Sequence, residues 1–169
     1  GDYGTATSEL IKLRGKDLTL DKALWRHQNQ LDRLQEGIDR KLAEGKKKTA
    51  AKLLKTRNTE KLNTLGAIKE GFDSTYKLYG QHGVPKEVAE ASGTTDPAAA
   101  ALWQAQQGPN FQQRKDANGV LYAPSLTPND LNVFLNGGNP FSEEFKDVQA
   151  DYKMPAYVTA DLGLIAEQK

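Results

Sequence analysis

Apolar residues recur along the first half of the chain at the three- and four-residue steps of an α-helix. Between Thr19 and Gly45, the residues Leu24, Leu31, Leu34, Ile38 and Leu42 fall on one face, which predicts an amphipathic helix. Thr19 or Asp21 offers a capping oxygen at its start. Gly45, followed by Lys46, Lys47 and Lys48, supplies a left-handed stop with cations beside the negative helix end. From about Thr49 to Tyr79 the stripe resumes as Ala51, Leu54, Leu62, Leu65, Ile68, Phe72, Tyr76 and Tyr79, broken only around Asn58, and predicts a second long helix. A short leading helix is expected at Ser8 to Gly15 on Leu10, Ile11 and Leu13.

Two such helices either fold back on each other or run on as one rod that pairs with further copies of the chain. The pattern favours folding back, because Gly-Lys-Lys-Lys-Thr at 45–49 would place charge in the seam of a continuous rod, whereas a turn places it in water.

Past Gly93 the texture changes to short segments punctuated by Pro, Gly and Asn. Thr95-Asp96-Pro97 caps a helix over Ala98 to Gln107 that Gly108-Pro109 ends. Thr127-Pro128-Asn129-Asp130 opens another through Leu131, Phe134 and Leu135, and Ser142-Glu143-Glu144 opens a third around Phe145 and Val148. The turn Asp116 to Gly119 would join Phe111 to Gln113 and Val120 to Tyr122 as one small β-hairpin. The expected fold class is therefore mainly α: a long antiparallel helical hairpin with short helices and irregular loops. It divides into a basic hairpin region, 1–92, and a short-helix region, 93–169, that packs on the hairpin or on a partner.

The 169 residues amount to one domain, and Leu, Ile, Val and Phe make up only about a fifth of them, close to the level at which chains stay disordered. With a net charge of +1 the self-repulsion typical of disorder is missing. A thin core with balanced charge suits a subunit completed by others, so a homo-oligomer or a larger assembly is expected. The absence of Met at Gly1 suggests a processed or partial chain. No apolar run approaches the length of a transmembrane helix, which predicts a soluble, cytoplasmic or virion-associated protein.

Chemistry-bearing motifs are scarce. Cysteine is absent, which removes disulfides and thiolate chemistry, and the two histidines, His27 and His82, have no ligand at metal spacing. No serine sits in a nucleophile elbow and no phosphate-cradling glycine loop is present. Glu143 and Glu144 fit the first turn of a helix better than a paired-acid site. No catalytic residue, metal or cofactor is expected.

One stretch carries physical weight. Arg40, Lys41, Lys46, Lys47, Lys48, Lys52, Lys55, Arg57 and Lys61 face only Glu44 and Glu60 between positions 40 and 61. Such density at a hairpin turn can neutralise phosphates, or serve as a solvated helix face. The run Leu34-Gln35-x-x-Ile38, Gly45 and Ala51-x-x-Leu54 resembles the helical hairpin that precedes the polymerase core in group II intron-type reverse transcriptases. No Tyr-x-Asp-Asp motif follows, and the resemblance implies only a shared way of building a basic helical hairpin.

The expected function is a non-catalytic structural or assembly protein, with a virion component as one setting. Its oligomer interface is expected at Leu54, Leu62, Leu65, Ile68, Phe72, Tyr76 and Tyr79. A docking segment is expected in the tail at Phe141, Phe145, Tyr152 and Tyr157, where large aromatics alternate with loop residues. The alternative is a nucleic-acid-binding module that uses the basic stretch.

Overall fold

The computed structural model describes residues 2–115, 119 and 121–142, with side chains from Leu20 onward. These residues form five α-helices and one two-stranded antiparallel sheet. Helices α1 (Asp2–Ala43) and α2 (Lys47–His82) are 42 and 36 residues long. At ~1.5 Å per residue they extend for roughly 63 and 54 Å. They pack side by side and antiparallel: His27 of α1 meets Glu60, Gln35 meets Arg57, and Leu20 lies against Gly71.

The turn between them is compact because Gly45 adopts φ +77°. Its N–H donates to the Leu42 carbonyl and the Lys46 N–H to that of Lys41, the paired reverse bonds of a Schellman motif. The stop expected at Gly45 is thus observed. The expected start at Thr19 is not, because α1 runs unbroken from Asp2 and absorbs the separate leading helix. Gly15 costs a helix about 1 kcal/mol relative to Ala, and α1 runs through it nonetheless.

The third layer over the hairpin comes from the later residues. Helix α3 (Lys86–Ser92) follows a bend at Val84-Pro85 and ends on left-handed Gly93. Helix α4 (Pro97–Ala105) starts where Asp96 accepts a hydrogen bond from the Ala99 N–H, and lays Ala100 and Ala101 against Tyr79. A 3-10 turn at Pro109–Phe111 leads to strands β1 (Arg114–Lys115) and β2 (Leu121–Tyr122). Arg114 pairs with Tyr122 and Lys115 with Leu121, so the small hairpin exists, but its first strand lies beyond the predicted 111–113, which the 3-10 turn takes in part. Helix α5 (Pro128–Leu135) begins with a full capping box between Thr127 and Asp130. The helix expected around Phe145 lies outside the described residues.

The main core joins both stretches of chain. Leu24, Leu65 and Ile68 of the hairpin bury against Leu126, Leu131 and Phe141.

Candidate functional site

The basic stretch sits at the closed end of the hairpin, and the fold divides its members. Arg40, Lys46, Lys47, Lys48, Lys52 and Lys55 are exposed. Lys41 is half-buried and, with Lys46, closes on Glu44 at 3.5 and 3.1 Å. The hydrogen bond from Lys46, together with the charge of Lys41, holds the Glu44 carboxyl below its usual range. Lys61 has turned away from the tip and lies 5.0 Å from the Phe141 ring centroid, where it caps the core.

Arg57 stands apart. It is 9% exposed and donates to Asn58 Oδ1 from both Nε and Nη2, at 3.1 and 3.0 Å, and to Gln35 Oε1 from Nη1 at 2.6 Å. Gln35 in turn donates to the fully buried Asp39 at 3.0 Å. This polar layer occupies the break in the apolar stripe at Asn58. Its charges are spent within the hairpin seam, and Arg57 has no face to offer a ligand.

The start of α2 is unusual for a helix. Lys46 at the N-cap makes no side-chain capping bond, and the first turn holds no acidic residue. The macrodipole favours anions there by about 0.3–1 kcal/mol each and disfavours cations correspondingly. Lys47, Lys48, Lys52 and Lys55 have no carboxylate partner among the described residues. Within this end of the hairpin Glu44 is the one exposed carboxylate, since Asp39 is buried. The geometry presents a positive surface with little internal compensation, suited to an array of phosphates.

No family model, curated protein or solved structure matches this chain. The functional reading therefore rests on its own geometry.

The residues assigned to an oligomer interface have partners within the same chain. Leu65 and Ile68 lie in the main core with Leu62 beside them, and Tyr79 packs on α4 with Phe72 beside it. Leu54 is buried in the hairpin, and only Tyr76 is well exposed, stacked on Phe72 at 6.0 Å between centroids. Of the expected docking aromatics, Phe141 is buried in the core; Phe145, Tyr152 and Tyr157 lie outside the described residues.

Two features escaped the sequence reading. A cavity of about 270 Å³ opens where α1, α2 and α4 meet, lined by Leu20, Leu24, Ile68, Phe72 and Ala101 among others. On the flank of α1, the small hairpin grips a pair of acids one turn apart: Arg114 forms an ion pair with Asp32 at 2.6 Å and the Tyr122 hydroxyl donates to Glu36 at 2.6 Å. Burial pushes the Asp32 carboxyl up, against the hydrogen bond from Gln28 and the Arg114 charge. The i, i+4 spacing of the acids was visible in the sequence; their partners, some eighty residues on, were not. No cluster of three or more metal-ligating side chains exists among the described residues, nor is any of their helices long and apolar enough to cross a membrane.

Proposed function

We propose that this chain is a non-catalytic binding protein that docks on nucleic acid through phosphate contacts at the closed end of its helical hairpin, as one part of a larger assembly. The observation that carries this reading is the exposed cluster Arg40, Lys46, Lys47, Lys48, Lys52 and Lys55, with Glu44 as its one exposed counter-charge. Cations in the first turns of α2 oppose that helix's dipole, and only those next to the end of α1 are offset by the dipole there, so helix ends account for the cluster only in part. A polyanion compensates both the side chains and the uncapped N–H groups. No aromatic residue lies between positions 40 and 61, which favours backbone contacts over base stacking.

The test is fluorescence anisotropy of a labelled duplex titrated across a salt series. Four to six phosphate contacts at the tip contribute about −4 to −5 to the log–log salt slope. Replacing Lys47, Lys48, Lys52 and Lys55 together by Gln should remove about 3 to 4 from that slope. Salt-insensitive binding, or an unchanged slope in the variant, would overturn the proposal.

A further inference from the structure

The charge at the tip continues along the hairpin. Lys22, Arg26, Arg33 and Arg40 of α1 are all exposed, and the three arginines are spaced by seven residues. At ~100° per residue all four fall within roughly 40° of one another, on the side of α1 opposite the buried row Leu24, Leu31 and Ile38. The four span about 27 Å along the helix axis, and the tip lysines extend the row further.

The acids of this part of α1 are all placed off that row or engaged. Asp39 is buried on the inner side, while Asp32 and Glu36 are held by Arg114 and Tyr122. Asp21 lines the cavity on the α4 side. The small hairpin thus does electrostatic work: it occupies the two carboxylates that flank the stripe and adds Lys115, which lines the same groove as Arg33.

We propose that the basic stripe on α1 is a second contact surface for a nucleic-acid duplex, continuous with the tip, that tracks phosphates over about one helical turn. This inference rests on the tip reading and adds to it both the form of the nucleic acid and the extent of the footprint. Stripe plus tip approach the ~34 Å repeat of a duplex, and a continuous helix presents its cations as an ordered array that suits a stiff partner. A single strand is held chiefly by stacking on aromatics, and the exposed aromatic at this edge, Trp25, already carries the Arg114 guanidinium at 5.2 Å from its ring centroid. A lipid surface demands a broad apolar face beside the charge, whereas the row itself is made of cations and Trp25 beside it is engaged by Arg114.

The experiment compares the full chain with two variants, a stripe variant (Lys22→Gln, Arg26→Gln, Arg33→Gln) and the four-lysine tip variant. Probes are a labelled duplex of about two turns, the same length of single strand, and vesicles containing phosphatidylserine. Circular dichroism checks that each variant folds, and a third chain with Arg26→Lys and Arg33→Lys keeps the charge. The expected result is that the stripe variant loses about 2 to 3 from the duplex salt slope and binds at least ~10-fold more weakly near physiological salt, while the Lys-for-Arg chain keeps the wild-type slope. A stripe variant with the wild-type slope, beside a tip variant that has lost its own, would overturn the stripe and leave the tip reading standing. Absence of duplex binding by the unmodified chain at low salt would overturn both. Tighter binding of single strand or vesicles than of duplex would overturn the choice of partner.

Discussion

Arg57 is a buried structural cation in a stretch whose other cations are mostly exposed. Truncation to Ala would take two donors from Asn58 Oδ1 and one from Gln35 Oε1, and remove a positive charge from the layer that holds the buried Asp39. A buried polar atom left without its partner costs about 1–3 kcal/mol, and breaking a buried charge layer from one side costs about 3–5. An Arg57→Ala variant should therefore lose roughly 3–5 kcal/mol of a total stability on the order of 10. In urea, with a slope of about 2–3 kcal/mol/M, that lowers the unfolding midpoint by about 1–2.5 M without changing the slope. The exposed Lys52→Ala and Lys55→Ala should stay within about 0.5 kcal/mol of the parent. A shift for Arg57→Ala as small as those of the lysines would refute the buried-layer argument. So would a folded Arg57→Ala chain that lost nucleic-acid affinity with no loss of stability.

Glycines in α2 give a second set. A Cβ at Gly66 or Gly80 meets nothing within 4 Å, so Gly→Ala there should raise stability by about 0.5–1 kcal/mol each in thermal unfolding. A Cβ at Gly71 would lie 2.6 Å from Leu20 Cδ2, so Gly71→Ala should gain less than either or lose stability, and adding Leu20→Ala should recover the helix-propensity gain at that site. Carbon-detected titration should find Asp32 raised and Glu44 lowered from their ordinary values. For Asp32 the folded chain holds the proton more tightly than the unfolded one, so its burial costs stability above the raised value and the cost is relieved as pH falls toward the ordinary one. Glu44 acts in the opposite sense: it contributes stability above its ordinary value, which is lost as pH falls through the lowered one.

The long helices and their turn were legible because each rests on local chemistry. The stripe from Leu54 to Tyr79 sets one face of α2, Gly45 supplies the left-handed residue, and Asp96 and Thr127 cap helices that proline opens. Helix α3 was not legible, since its seven residues are too few for a periodic signal and none of them is buried. The start of α1 was misplaced because Thr19 and Asp21 resemble caps, yet nothing prevents such residues from standing inside a helix.

At the candidate site the density of charge was legible and its division was not. A count of cations treats Arg57 like Lys55, whereas two residues of rotation on α2 carry one into the seam and the other into water. The break at Asn58 was the available signal, since a missing apolar step in a seam invites a polar layer. The covering of Leu65 and Ile68 depended on Leu126, Leu131 and Phe141, contacts too distant in sequence for periodicity to reveal.

That distance has a consequence for synthesis. The hairpin is complete once His82 has been made, but the residues that close its apolar side reach as far as Phe141. At about 5–20 residues per second, the roughly sixty intervening residues leave the cover over Leu65 and Ile68 incomplete for some 3 to 12 seconds. During that interval the nascent hairpin exposes an oily flank to the crowded surroundings of the ribosome. What keeps that flank in solution is the charge on the outer faces of both helices, from Lys22, Arg26 and Arg33 to the lysines at the turn, which is already in place before the covering residues are made.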